Sequence, residues 1–583
     1  MTRISTLLAI AASATLVVAT PAVAHQSTSP WTGCNDAATL IDPAANDLEC
    51  AMIKMPLCHK GVCQSKQTIE LFTQRLLAKH NPDSKPNVWL LSGGPGQNSN
   101  FASFMIELRR MSNDSINLYT LDHRGTVLSA YLSCGDDIEY TGYGDCFRKL
   151  LAQFDNKPEA FSVTSAATDV ALLATKFASK AESYVYGISY GTYLTERVMH
   201  LAPNVVKGYV LDGVAADRSY PFTFMSNDMI PVSKRLAEAC EENAYCRSKF
   251  EKEIAEHGSL NEAFINIVHG FDKSPNRCID FIVQSRNGNE TSNDTSSESG
   301  NRVSASQTVK QLLVDLISEQ KRVLIPAYLY RIHRCNDNDM AFLQAFPVSS
   351  DSTGTSGSSH GGSDDADKDS KVPVTHSNSP FLYKVIVYSE MWQHPTPTAK
   401  KLNENATTTY LWQDSTDGVK EYCLVTGRHD EPACQDPAMN DIKNLYNSTP
   451  AFAYEPDRYS MEVATISDDV GVMVFGGGLD FQTPWEYSRL QYGDMKTTNK
   501  LMVEVKHGAH GNALWPVTSE DETQCGHNIF LSFVTNKANV RKVDTSCLKN
   551  VPAIQFNNPA TAAELLGGAL EGDAFEGTAQ SVA

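Results

Sequence analysis

One pentapeptide constrains the fold more than any other part of this chain. Gly187-Ile188-Ser189-Tyr190-Gly191 lies between an apolar run, Ser183 to Tyr186, and a helical pattern, Thr192 to Leu201. A serine at a sharp strand-to-helix turn is forced into strained backbone geometry, and glycines on both sides relieve the crowding. Ser189 would then stand exposed at the start of a helix, as a nucleophile must. G-x-S-x-G recurs by chance, so the weight rests on the strand before it and the helix after it.

The surrounding texture agrees. From about Asn87 to Val214, strand-like runs (Val88 to Leu91, Ile116 to Leu121, Tyr184 to Tyr186, Gly208 to Leu211) alternate with helical patterns. That alternation predicts an α/β fold, a mostly parallel central sheet with helices on both faces. Residues 215–459 read as mainly helical and carry two polar stretches, 286–306 and 349–371, too poor in apolar side chains to order themselves. Val470 to Phe475 and Leu501 to Val505 restore the strand texture. A sheet that is interrupted and then resumes predicts a core in two parts, 25–214 and 460–550, with a large helical cap inserted at 215–459. Residues 551–583 read as a tail whose last dozen residues look frayed.

A serine nucleophile needs a base, and the base needs an orienting carboxylate. The third block supplies both in the order Ser, Asp, His. Asp480 follows a strand through Gly476-Gly477-Gly478, and His510 follows the next strand in His507-Gly508-Ala509-His510-Gly511. A helix over Pro484 to Asp494 fits between them. His510 is favoured as the base, with His507 as its rival. Taken alone, Asp480 would read as a turn residue before Thr483-Pro484. Acyl transfer also needs donors for the developing oxyanion. Ser92-Gly93-Gly94-Pro95-Gly96 follows the strand Val88 to Leu91; Pro95 has no N–H, so Gly94 is the natural donor there, and Tyr190 supplies the second.

The first residues indicate the compartment. Arg3, the apolar run Leu7 to Val18 and Ala22-Val23-Ala24 read as a signal peptide over 1–24. The apolar run falls short of the roughly 20 residues a spanning helix needs. A secreted, extracellular protein makes the 14 cysteines legible as a disulfide framework. Pairing in order along the chain is the simplest hypothesis: 34/50, 58/63, 134/146, 240/246, 278/335, 423/434 and 525/547. Sequons at Asn113, Asn289, Asn293, Asn405 and Asn447 fit a secreted glycoprotein. With 49 Lys+Arg against 68 Asp+Glu, the formal charge of -19 repels phosphate backbones and argues against nucleic-acid partners. No membrane association is expected either.

With these residues in place, the chain resembles the α/β-hydrolase serine peptidases of the prolyl aminopeptidase and tripeptidyl aminopeptidase family. Ser92 to Gly96 resembles that family's H-G-G-P-G oxyanion segment, Asp122-His123-Arg124-Gly125 its D-x-R-G, and Gly187 to Gly191 its nucleophile elbow. Leu211-Asp212-Gly213-Val214 is similar to the strand end before the cap, Gly478 to Pro484 to the segment around the acid, and Ala509-His510-Gly511 to the base. The likeness runs from about Leu90 to Gly511, with the cap matched only in position and length. It implies Ser189 as nucleophile, Asp480 as acid, His510 as base, Gly94 and Tyr190 as oxyanion hole, and no metal or organic cofactor. Asp122 and Arg124 are expected to brace the loop beside that hole. The implied activity is release of short peptides or single residues from free N-termini of peptide substrates. Two departures limit the likeness: the leading His is Ser92 here, and no motif identifies the carboxylate that would hold the substrate amine. Glu390, beside Trp392, is the candidate for that substrate-binding role; Glu196 is expected to be solvated. A carboxylesterase on the same triad, and an inactive hydrolase fold serving as a binding module, are the competing readings.

Overall fold

The computed structural model describes residues 30–34, 47–135, 138–287, 304–318, 320–348, 378–514, 524–567 and 569–579. The expected signal peptide, the 349–371 stretch and the sequons at Asn289 and Asn293 lie outside them. Nine strands form one sheet: β1 (Thr32–Gly33), β2 (Glu49–Pro56), β3 (Thr68–Leu76), β4 (Asn87–Leu91), β5 (Asn117–Leu121), β6 (Ser183–Ile188), β7 (Val206–Asp212), β8 (Gly471–Gly477) and β9 (Lys500–Val505). Their order is β1-β2-β3-β5-β4-β6-β7-β8-β9. The strands from β5 to β9 in that order are parallel, and β1, β2 and β3 pair antiparallel at one side. This is the α/β-hydrolase fold.

The central strands are continuous apolar runs because both of their faces are covered. Along β4, Trp89 and Leu91 join the core on one face, with the helices Val163–Lys176 and Tyr190–Leu201. Val88 and Leu90 point to the other face, with the helices Ala102–Met111 and Cys525–Thr535. In β8, Val472 and Val474 alternate with Met473 and Phe475 in the same way. Successive side chains of a strand point to opposite faces, so one pentapeptide feeds two cores.

Adjacent parallel strands β7 and β8 are separated in sequence by everything from 213 to 470. The mainly helical insertion expected there is present, and its helices divide between two cores. The helices from Met225–Glu242 to Asp337–Ala345 build a core of their own. The helices Pro380–Ile386 and Thr416–Thr426 instead pack into the sheet's own core, beside the helix that follows Ser189.

Of the stretch 286–306, residues 288–303 lie outside the described residues; at its ends, Arg286 lies in the helix Arg277–Asn287 and pairs with Asp315, and Ser304 caps the helix Ala305–Val314. The end of the chain is not frayed as far as 579. Leu570–Glu571 pairs with Thr578–Ala579, Phe575 is fully buried in the cap core, and the buried Arg331 guanidinium donates to the carbonyls of Ala574 and Gly577, each at 2.7 Å. One buried aromatic and two charge-assisted hydrogen bonds outweigh a glycine-rich composition.

All seven cysteine pairs are disulfides, joined in the order along the chain. Among the described residues, no helix is long and apolar enough to cross a membrane. Asn113 and Asn447 are exposed, whereas the Asn405 amide is half-buried and donates to Asn227.

Candidate active site

The turn after β6 has the strain its sequence demands. Ser189 sits at φ 58°, ψ -130° and caps the helix Tyr190–Leu201. A non-glycine residue held there costs about 1–3 kcal/mol and persists only where its surroundings over-determine it. They do. The Ser189 N–H donates to the carbonyl of Asp212 at 3.0 Å, and its carbonyl accepts from the Thr192 N–H and hydroxyl. The flanking glycines are required for space. A Cβ on Gly187 would lie 2.1 Å from the carbonyl oxygen of Gly191, and one on Gly191 would lie 2.4 Å from that of Leu91.

The segment after β4 meets this turn directly. A Cβ on Gly93 would lie 2.8 Å from the Cβ of Ser189, so the glycine lets the two loops touch. Gly94 holds φ at 109°, a conformation that side chains resist. Ser92, in the place of the family's His, donates its hydroxyl to the carbonyl of Gln97 at 3.0 Å and closes the loop on itself. Tyr190 is fully buried with its ring against His123, so what it can offer beside Ser189 is its N–H.

Asp122 braces this loop as expected: its Oδ1 accepts from the N–H and hydroxyl of Ser99, both at 2.7 Å. Arg124 does not. Its buried guanidinium is bound by Asp169 at 2.7 and 2.8 Å and by the carbonyls of Leu57 and Ala160, so it ties the end of β2 to the helix Val163–Lys176. Burial alone would raise the Asp169 carboxyl; the Arg124 charge and hydrogen bonds from His59 and Arg124 hold it below the usual range.

Asp480 and His510 come together. Asp480 Oδ2 lies 2.9 Å from His510 Nδ1, with Asp480 fully buried and His510 nearly so. Asp480 is a turn residue as well, since its Oδ1 accepts from the N–H groups of Gln482 and Thr483 at 2.9 and 2.8 Å. Thr483 completes the arrangement. Its hydroxyl donates to Asp480 Oδ2 at 2.9 Å and lies 3.0 Å from His510 Nδ1. The one hydroxyl proton is spent on the carboxylate, so both neighbours of Nδ1 are acceptors, which assigns its proton to Nδ1 and leaves Nε2 basic. Thr483 was legible only as a turn; its role depends on the fold bringing residue 510 against it.

The end of β7 joins the two halves. Asp212 accepts from Ser189, and a Cβ on the next residue, Gly213, would lie 2.8 Å from His510 Cε1 and Nδ1. Ser189 and His510 therefore abut the same dipeptide. His507, the rival base, makes no hydrogen bond to a carboxylate among the described residues; its carbonyl accepts from Arg322.

Glu390 is not placed to hold a substrate amine. It is buried in the π-helical segment Val387–Met391, with Oε2 bound by Arg197 at 2.8 Å and Tyr193, and Oε1 by Tyr454 and the Val163 N–H. Both oxygens are occupied by protein groups beneath the helix that follows Ser189. Glu196 is also a correction: expected in solvent, it is buried beside Asp217 and Gln491.

The cap core reaches this site. Leu479 and Phe481, on either side of Asp480, pack into it. Arg235 donates to the carbonyl of Gly478 at 2.6 Å, and Arg322 to that of His507 at 3.0 Å. No protein-family model and no curated protein matches the chain. Solved structures similar to it include a proline iminopeptidase from Mycobacterium smegmatis, at 10% identity over 84% of this chain and 99% of that one, TM-score 0.29. An esterase from Exiguobacterium antarcticum is similar at 10% identity over 82% and 97%, TM-score 0.28. An epoxide hydrolase from Aspergillus niger is similar at 14% identity, TM-score 0.21, over 38% of this chain and about half (51%) of its own length.

Proposed function

We propose that the protein is a secreted serine exopeptidase that releases short peptides or single residues from free N-termini. The observation that carries the reading is the strained Ser189 turn and the buried Asp480–His510 pair meeting at Asp212-Gly213. In this reading Ser189 Oγ attacks the scissile carbonyl and His510 Nε2 takes its proton. Asp480 and Thr483 hold Nδ1–H and stabilise the imidazolium. The N–H groups of Gly94 and Tyr190 receive the developing oxyanion. His510 returns the proton to the leaving amine, and water then frees the acyl group by the same steps.

Peptide specificity is supported by the motifs shared with the aminopeptidase family. Seven disulfides support an extracellular setting. The test is to identify the product released from Ala-Ala-Pro and Pro leaving-group substrates with free and acetylated N-termini, alongside a butyrate ester. Cleavage confined to the free amines is expected. Equal cleavage of acetylated peptides ends the exopeptidase reading, and turnover of the butyrate ester alone makes the protein a carboxylesterase.

A further inference from the structure

Asp212 closes β7 and is fully buried. Its carbonyl accepts the N–H of Ser189 at 3.0 Å. Its carboxylate binds the other arm of the site: Oδ1 accepts the N–H of Asn512 at 2.8 Å, and Oδ2 accepts the N–H of Ala513 at 2.7 Å and the Tyr186 hydroxyl at 2.9 Å. Asn512 and Ala513 lie two and three residues beyond His510. Asp480 and Thr483 fix the His510 ring at one nitrogen, which sets the ring's tilt but not the place of the loop that carries it. That loop leaves β9, the last strand of the sheet, and forms no strand or helix from 506 to 514.

We propose that Asp212 is a positioning residue that sets the separation of Ser189 and His510, one residue holding the nucleophile through its carbonyl and the base through its carboxylate. The inference rests on the serine-hydrolase reading. Hydrogen bonds from backbone N–H groups to a carboxylate out of water are short and strong, which suits a group that must hold a loop to within a fraction of an ångström. A neutral side chain of the same shape could accept from only one of the two N–H groups.

The charge has a second consequence. Burial raises the Asp212 carboxyl above its ordinary range, and the bonds from Ala513, Tyr186 and Asn512 and the nearby His510 offset that rise only in part. The titratable groups facing Asp212 are Tyr186 from β6 and His510 from the loop, and His510 is faced in turn by Asp480. An ionised Asp212 stabilises the imidazolium that forms when His510 takes a proton, and Asp212→Asn removes that charge. The acid limb of the activity profile then moves to lower pH, because the base must be neutral to act.

The experiment measures the rate of fluorophosphonate labelling per folded molecule, with peptide kcat and KM, from pH 5 to 8 for the native protein, Asp212→Asn, Asp212→Ala and Tyr186→Phe. Misplacement by about 1 Å costs on the order of 100-fold, so about ten-fold slower labelling is expected for Asp212→Asn and about 100-fold for Asp212→Ala, with KM within two-fold. The acid limb should fall by about half a pH unit in Asp212→Asn. Tyr186→Phe, which loses one bond to the carboxylate, should label about three-fold more slowly and keeps the question answerable if Asp212→Ala does not fold. A merely structural Asp212 would lower the fraction labelled at the end point and leave rate and limb unchanged, which overturns the proposal. A folded native protein that takes no label overturns the serine-hydrolase reading and this inference with it; native labelling matched by every variant overturns the inference alone.

Discussion

Glu196 lies two turns beyond Ser189 on the same helix, with its carboxyl buried beside Asp217 from the loop after β7 and Gln491 from the helix Trp485–Asp494. Gln491 is committed to Asp217, donating to its Oδ2 at 3.0 Å and accepting the Asp217 N–H at 3.0 Å. Around the Glu196 carboxyl stand the side chains of Asp217 and Gln491 and the backbone of Ala464. Burial, and then the neighbouring Asp217, push the Glu196 carboxyl well above its ordinary range; burial also raises Asp217, against the pull of Arg197 and with a further push from Glu390. The folded protein therefore keeps a proton here that the unfolded chain gives up near pH 4. A raised folded pKa makes stability greatest below the unfolded value and lets it fall as pH rises. One retained proton is worth about 1.4 kcal/mol per pH unit, or about 3 kcal/mol between pH 5 and 7. Glu196→Gln removes the extra carboxyl and gives Asp217 a neutral neighbour. Urea unfolding at pH 5, 6 and 7 should show the native protein losing about 3 kcal/mol more than the variant over that interval. Parallel curves for the two proteins would refute the retained-proton account.

Glu390→Gln leaves the more exposed Asp457, 3.4 Å away, as the carboxylate partner of the buried Arg197 among the described residues, and should cost about 3–5 kcal/mol of stability. The preference for free over acetylated substrates should not change in the folded fraction, whereas an amine anchor would lose it. Gly187→Ala must move the Gly191 carbonyl from a 2.1 Å contact; a loss of about 3 kcal/mol or failure to fold is expected by thermal melting, and a native melting point would contradict the packing argument.

What was legible in the sequence was whatever a short stretch decides by itself. β4, β6, β7 and β8 are buried on both faces and read as unbroken apolar runs, and the 187–191 turn carries its own steric logic. β2 escaped notice because only one of its faces is covered: Ala51, Ile53 and Met55 are buried while Met52 and Lys54 are exposed. The failures at Glu390 and Glu196 have one cause. Each looks like an ordinary carboxylate on a helix, and its burial depends on a segment far away in sequence; Glu390 and Arg197 are 193 positions apart. The end of the chain failed in the same way, because the partners of Phe575 and of the carbonyls of Ala574 and Gly577 lie in the cap.

The central claim is that Ser189 is the nucleophile, and covalent labelling tests it most directly. Native protein treated with a fluorophosphonate and then mapped by peptide mass should carry one adduct, on the peptide containing Ser189, and lose hydrolytic activity in step with its formation. Folded Ser189→Ala should take no adduct and cleave no substrate. An adduct on another residue, or hydrolysis retained by folded Ser189→Ala, would contradict the account.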